Sequence, residues 1–200
     1  MKNTNRFFLL PALLIVFFTS CKKNDVPDDP SDCINTTNWI KDEHQMAYVN
    51  KSPFYQADSL FVSFKEVGDG IFESTSVFDD GLLIPAAKVY LQPCRKWVYQ
   101  ASGSAMDDKQ PVYLLEGVVG DTWQSTTTSF AGNQVVTQFS IVAKDISVTV
   151  PAGTFNCLQI QGISVVSGQT IETNHFIHSE KGIAKVTGTT VSYELGRANF

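Results

Sequence analysis

The sequence predicts a mainly β protein built as one antiparallel meander, with at most one or two short helices. After Pro53, apolar and polar residues alternate along most of the chain, a pattern typical of half-buried strands. Turn-forming stretches such as Gly68-Asp69-Gly70 and Ala131-Gly132-Asn133 interrupt this alternation about every ten residues. These spacings predict about eight to ten strands. They leave a sandwich, a closed barrel and a half-open curved sheet as alternatives.

The first 20 residues have the features of a secretory signal peptide. Lys2 and Arg6 precede an apolar run, Phe7–Phe18, which is 12 residues long and is followed by small residues before Cys21. As a helix this run would be about 18 Å long, whereas a bilayer core is about 30 Å thick. It is therefore too short for a permanent transmembrane anchor. The residues before Cys21 resemble a lipobox, although Phe18 stands where Leu is usual, and an ordinary signal peptide is the alternative.

The lipobox resemblance implies that Cys21 is acylated and becomes the first mature residue. Residues 21–32 are rich in Asp and Pro, so they cannot bury enough apolar surface to fold and should form a lipidated, solvated tether. Residues 33–200 then form a single β-rich domain. The resemblance implies an envelope protein that is anchored to the outer membrane through acyl chains on Cys21, on either the periplasmic or the cell-surface side.

The charge of the chain argues against a nucleic-acid partner. The formal net charge is −5, and removal of residues 1–20 takes away Lys2 and Arg6 but no acid, which leaves −7. A protein that binds nucleic acid normally carries a basic surface. An acidic body held beside a membrane by acyl chains fits this balance better.

Three cysteines remain after Cys21, so an oxidising compartment allows at most one internal disulfide. Cys157 lies within an apolar strand and is expected to be a small buried hydrophobe. Cys33 and Cys94 lie beside turn-like residues, and a disulfide, if one forms, should join these two. No C-x-x-C pair is present, so the sequence supports neither a zinc ribbon nor a thioredoxin-type site.

Two segments depart from the regular meander. Trp39–Val49 has some helical spacing, with Ile40 and Ala47 on one face, and predicts a short helix. Past Ala143 the apolar residues change parity, which predicts a bulge near Lys144 that lets one long strand curve.

The most sharply specified local structure is a hairpin around Pro151-Ala152-Gly153. Pro151 fixes φ at a tight turn, and Gly153 stands where such turns need a residue without a Cβ, so both are structural. The motif V-P-A-G-T-F, with a later K-G-I-A-K-V stretch at Lys181–Val186, resembles a group of bacterial envelope lipoproteins of unknown function. Some relatives of that group have the curved half-barrel of the LolA-like type. The resemblance covers the chain from Trp97 onward and implies a single antiparallel curved sheet.

No arrangement of residues indicates catalysis, a cofactor or a metal. His175 and His178 form H-x-x-H, but on a strand their side chains would point to opposite faces. The acidic pairs Asp79-Asp80 and Asp107-Asp108 lie in turns, where Asp supports the backbone. No nucleophile elbow or phosphate-binding loop is present. We therefore expect a protein that is not an enzyme.

The aromatic residues suggest a binding function. A curved sheet without a covering helix leaves a concave apolar face that could hold a lipid or another apolar small molecule. The residues expected to line that face are Trp97, Trp123, Phe139 and His175, with His175 fixing a head group. The alternative is an interaction module with a filled core that docks onto an envelope protein.

Overall fold

The computed structural model describes residues 33, 35–52, 57–79, 84–128 and 134–198. For residues 84–87 it describes the backbone alone. Twelve strands follow one another through these residues. They are β1 (Gln45–Asn50), β2 (Ser59–Gly68), β3 (Ile71–Asp79), β4 (Ile84–Cys94), β5 (Trp97–Ala101), β6 (Gln110–Leu114), β7 (Thr122–Thr128), β8 (Gln134–Val150), β9 (Gly153–Val166), β10 (Gln169–His178), β11 (Gly182–Gly188) and β12 (Ser192–Ala198). The predicted signal peptide, Cys21 and the tether 21–32 lie outside these residues.

The strands form a single antiparallel sheet in the order β6-β5-β4-β3-β2-β1-β12-β11-β10-β9-β8-β7. β1 pairs with β12, which places Met46 opposite Ala198 and joins the two halves of the sheet. β6 and β7 are the two edges, and the Thr126 N–H of β7 donates to Oε1 of Gln110 of β6 at 3.3 Å. The sheet is therefore a nearly closed barrel. This confirms the predicted single antiparallel curved sheet, with twelve strands in place of eight to ten.

The prediction of a helix at Trp39–Val49 was wrong. A bend and a turn precede β1, within which Met46 and Tyr48 are buried whereas Gln45 is exposed, a period of two. β1 pairs with β2 on one side and β12 on the other, and this pairing outweighs the weak helical spacing of a few apolar residues. Across the described ranges there is no helix that is long and apolar enough to cross a membrane.

Because the strands form a meander, successive connections alternate between the two ends of the barrel. The β2–β3, β4–β5, β6–β7, β8–β9 and β10–β11 connections lie at one end, which we call the closed end. Trp39 and Ile40 are 1% and 0% exposed there and pack into the interior with Phe64. The opposite end, with the β5–β6 and β9–β10 connections, is called the open end.

Strand β8 changes its buried face halfway along its length. Ile141 belongs to one cluster of buried side chains and Val148 to another. The register with β9 shifts twice between Ile141 and Ile146, and Asp145 in this stretch has a φ of 56°. The bulge predicted near Lys144 is therefore confirmed, and it bends the β8–β9 hairpin.

The corner of this hairpin closes one end of the barrel. Pro151 and Ala152 lie between Val150 and Gly153, which pair across the turn, and Gly153 has a φ of 136°. The Ala152 N–H donates to the Leu195 carbonyl of β12 at 3.0 Å. The tip of the hairpin thus reaches over the closed end and is hydrogen-bonded to a strand that β10 and β11 separate from β9 in the sheet.

Both faces of β5 are buried. Trp97 packs in the same cluster as Trp123 of β7, whereas Val98 packs in the cluster that contains Phe64 of β2. The sheet therefore curls so far that β5, near one edge, lies against the inner face of β7 at the other edge.

A disulfide fixes the N-terminal segment to the β4–β5 turn. Cys33 and Cys94, the two cysteines paired from the sequence, are joined with an S–S distance of 2.08 Å. The hydroxyl of Thr36 donates to the Arg95 carbonyl at 2.7 Å. Cys157 is a free thiol buried in the core, and burial raises the pKa of its thiol to about 11.

The positive φ of Gly153 generates the first testable prediction. A Cβ at this position would meet the Phe155 ring no closer than 3.6 Å, so the site has room for a side chain but not the backbone conformation that one prefers. Gly153→Val should lower the free energy of unfolding by about 1–3 kcal/mol. Gly103→Val is the matched control, since Gly103 has open space and no positive φ. Equal urea-unfolding midpoints for the two variants would contradict the strained corner.

Candidate functional site

Among the described residues, the interior of the barrel is fully buried at the closed end and only partly buried beyond it. Trp39 and Phe64 fill the closed end, with ring centroids 6.3 Å apart. Further along the strands, inward-facing side chains line the interior but keep partial contact with solvent. We call the part of the interior that these side chains line the interior chamber. Its lining consists of Leu60, Val62, Phe78, Tyr113, His175 and Tyr193.

Pairing and ring contacts show that these side chains share one concave face. Leu60 lies opposite both Tyr48 and Phe78, and Tyr48 is buried in the core, so Leu60 and Phe78 point inward. The rings of Phe78 and Tyr193 are 6.4 Å apart, although β1 and β2 lie between their strands. The inner face is therefore curved enough for side chains three strands apart to meet.

One polar pair lies in this apolar chamber. The hydroxyl of Tyr113 and Nδ1 of His175 are 3.2 Å apart, and their ring centroids are 5.5 Å apart. Burial lowers the pKa of His175 to about 4, and burial raises the pKa of Tyr113 above its ordinary value. Both groups are therefore neutral at pH 7.

The pair can donate one hydrogen bond beyond the one that joins it. A neutral imidazole and a phenol carry two polar hydrogens between them, and their mutual bond uses one, whichever group donates. If Tyr113 donates to Nδ1, the second hydrogen is on Nε2 of His175; otherwise it is on the Tyr113 oxygen. His175 is among the residues that the sequence predicts to line the concave face, whereas no sequence pattern indicates Tyr113.

Three residues expected to line a ligand face lie instead in the packed core. Trp97, Trp123 and Phe139 are 6%, 2% and 9% exposed. The Trp97 and Trp123 rings meet edge to face at 5.6 Å, and the Trp123 and Phe139 rings stack at 5.5 Å. The expectation is corrected because β5 covers the inner face of β7 and β8 and leaves no open concave surface there. Of the four predicted residues, His175 alone lies in the chamber.

The two histidines of the H-x-x-H pattern make separate contacts. Nδ1 of His178 accepts from the Glu180 and Lys181 N–H groups, each at 3.2 Å, and its ring packs on Phe155 at 5.6 Å. His175 faces Tyr113 instead. Within the described ranges, no three residues among His, Cys, Asp and Glu converge as a metal site would require.

A second, polar cleft lies at the closed end beside the disulfide. It has a volume of about 260 Å³, and Lys144 on its wall donates to the Gly117 carbonyl at 3.0 Å. Charges of both signs line it, so it offers no net attraction for an ion of either sign. Its lining includes Thr36, Thr37, Arg95, Glu116, Lys144, Asp145 and Asn156. No sequence pattern indicates this cleft, since its residues come from six separate segments.

The buried state of His175 predicts a loss of stability in acid. Its pKa is about 4 in the folded chain and about 6.5 when the imidazole is solvated. Between these values the unfolded chain binds a proton that the folded chain does not, so stability falls as the pH falls from 6.5 towards 4. Because His175 keeps partial contact with water, we expect a loss of about 1–2 kcal/mol, less than the full shift would give.

The measurement is urea unfolding at pH 7.5 and pH 4.5 for the wild type and for His175→Gln, which cannot titrate. The variant should lose less stability between the two pH values than the wild type. His44, whose pKa burial also lowers, is present in both proteins and cancels in the comparison. Equal losses would show that His175 is not the titrating group.

The chain shares its fold with a solved structure. A protein of Bacteroides fragilis NCTC 9343, described as an exported protein with a YmcC-like fold, matches with a TM-score of 0.52 over 80% of this chain and 97% of the other. The two sequences are 11% identical, so the likeness shows a common fold alone. No family model matches the chain, and no curated protein matches it either.

Proposed function

We propose that this protein is an exported, lipid-anchored envelope protein that binds an apolar small molecule in the interior chamber and is not an enzyme. The observation that carries this proposal is the ring of inward-facing apolar side chains that remain partly exposed around Tyr113 and His175. Export is supported by the signal-like residues 1–20 and by the description of the structure that shares the fold. Lipid attachment is supported by the lipobox-like residues that precede Cys21.

The chemistry of the chamber indicates what it would bind. Leu60, Val62 and Phe78 offer apolar contact, which contributes about 0.8 kcal/mol for each methylene of a ligand removed from water. The neutral pair of Tyr113 and His175 offers one hydrogen bond and no charge. The best match is an acyl chain or a similar slender apolar molecule with a single acceptor, such as a carbonyl, near one end.

The alternative function is docking to another envelope protein. Val136, Ile163 and Val165 are 49%, 40% and 64% exposed on the outer face of β8 and β9. Val136 and Val165 lie side by side, since Thr137 pairs with Ser164. Exposed apolar residues on adjacent strands are a feature of interaction surfaces.

Filling the chamber distinguishes the two functions. Val62→Phe adds volume on the inner face, and we expect it to weaken binding of a dansyl-labelled fatty acid at least tenfold, as judged by fluorescence titration. Val136→Phe is the matched control, because it adds the same ring on the outer face and should bind as the wild type does. If the wild type shows no saturable binding, the docking function takes the place of ligand binding.

The anchor has its own test. Cys21→Ser should release the protein from the membrane fraction to the soluble fraction, because acyl chains supply about 0.8 kcal/mol of membrane affinity per buried methylene. Cys157→Ser is the control, since that thiol is buried in the core and should not affect membrane attachment. If Cys21→Ser still sediments with membranes in high salt, the attachment lies elsewhere.

A further inference from the structure

We propose that the β6–β7 connection inserts Val118 and Val119 into the lipid surface to which Cys21 tethers the chain. The inference rests on the lipid anchoring proposed above and adds a second, non-covalent membrane contact. Val118 and Val119 are 56% and 58% exposed, and they are adjacent at the tip of a short turn. Two neighbouring apolar side chains that both project into water from one turn can enter the lipid interface together.

The backbone of this turn is fixed, so the valines are presented in one orientation. The Asp121 carboxylate accepts from the Val118 N–H at 2.9 Å, and the Asp121 N–H donates to the Val118 carbonyl at 3.0 Å. The N–H of Gly120 donates to the Ile141 carbonyl of β8 at 2.9 Å, and Gly120 has a φ of 95°. Insertion would therefore require little further ordering of the chain.

The turn lies beside the point at which the tether joins the barrel. Cys33 is bonded to Cys94 at the start of the β4–β5 turn. The Lys96 carbonyl of that turn accepts from the N–H of Leu115 at 2.7 Å, and Leu115 lies three residues before Val118. The N-terminal attachment and the exposed valines are thus on the same end of the molecule, the closed end.

The length of the tether limits how far this end can lie from the bilayer. Residues 22–32 are 11 residues, which span at most about 40 Å when fully extended. Cys21 in the membrane therefore holds Cys33 within about 40 Å of the lipid surface. A tethered contact forms at a high effective concentration, so two valines suffice where they could not hold a free protein.

We favour lipid over a charged protein partner because the residues around the turn carry no net charge. Three cationic residues and three acidic residues lie in the same region, namely Arg95, Lys96 and Lys144 and Glu116, Asp121 and Asp145. Such a mixture gives no steering towards an acidic or a basic protein surface. Insertion should accordingly occur in uncharged phosphatidylcholine and persist in high salt.

The experiment uses the full lipidated chain with Cys157→Ser, reconstituted on phosphatidylcholine vesicles. A cysteine at position 119 (Val119→Cys) carries an NBD fluorophore, and a matched sample carries it at position 165 (Val165→Cys), an equally exposed valine towards the open end. On vesicles that contain lipid spin-labelled near the head group, NBD at 119 should shift to shorter wavelength and be quenched at least twofold, whereas NBD at 165 should keep its emission in water. Val118→Asp, added to the first sample, should return its emission to that in water.

Three adverse outcomes are distinguishable. If the labelled chain floats with the vesicles but NBD at 119 emits as in water, the insertion is overturned while the anchor stands. If the chain does not float at all, the anchor and the insertion are both overturned. Equal shifts at 119 and 165 would mean that the fluorophore itself enters lipid, and this too would overturn the proposal.

Discussion

The double register shift in β8 is the constraint on which the rest of the structure depends. In a regular strand, side chains two residues apart share a face, so an unbroken β8 would put Ile141 and Val148 on opposite faces of the sheet. The shifts between Ile141 and Ile146 let the first half of the strand complete the Trp123 cluster and the second half complete the Phe64 cluster. They also turn the hairpin so that Ala152 reaches β12. One local irregularity therefore serves both halves of the core and the closure of one end.

The chamber exists because the two ends of the barrel are packed differently. At the closed end, Trp39 and the β8–β9 tip remove the interior from water, whereas beyond it the inner face keeps side chains that are only partly covered. Incomplete packing costs stability, since partly exposed apolar area forgoes about 25 cal/mol per Å². The His175–Tyr113 pair is neutral, and this avoids the further cost of burying a charged imidazole in this position. The features that make the chamber less stable are those on which the proposed ligand binding depends.

The sequence predicted the sheet and its bend well, and the site only in part. The alternation of apolar and polar residues and the spacing of turns depend on local sequence, so the antiparallel sheet and the bulge near Lys144 could be predicted from the sequence. The expected helix at Trp39–Val49 failed because strand pairing on both sides of β1 decides that segment. Alternation identifies one apolar face but not what covers it, so Trp123 was assigned to a ligand face that β5 in fact buries. Tyr113 is opposite His175 only through the curl of the sheet, which no local pattern encodes.

The pairing of β1 with β12 has a consequence for the order in which the molecule can form. Every other pairing in the sheet joins consecutive strands, so each can form as a hairpin as soon as its two arms are available. The β1–β12 ladder instead joins residues about 150 positions apart, such as Met46 and Ala198, and has the largest single loop-closure cost among the strand pairings. In a chain that crosses a membrane from its N-terminus, the edge of β1 stays unpaired until the last strand has crossed. The chain can then associate wrongly for as long as β1 is unpaired. The length of that interval depends on the rate of translocation and not on the rate at which any hairpin forms.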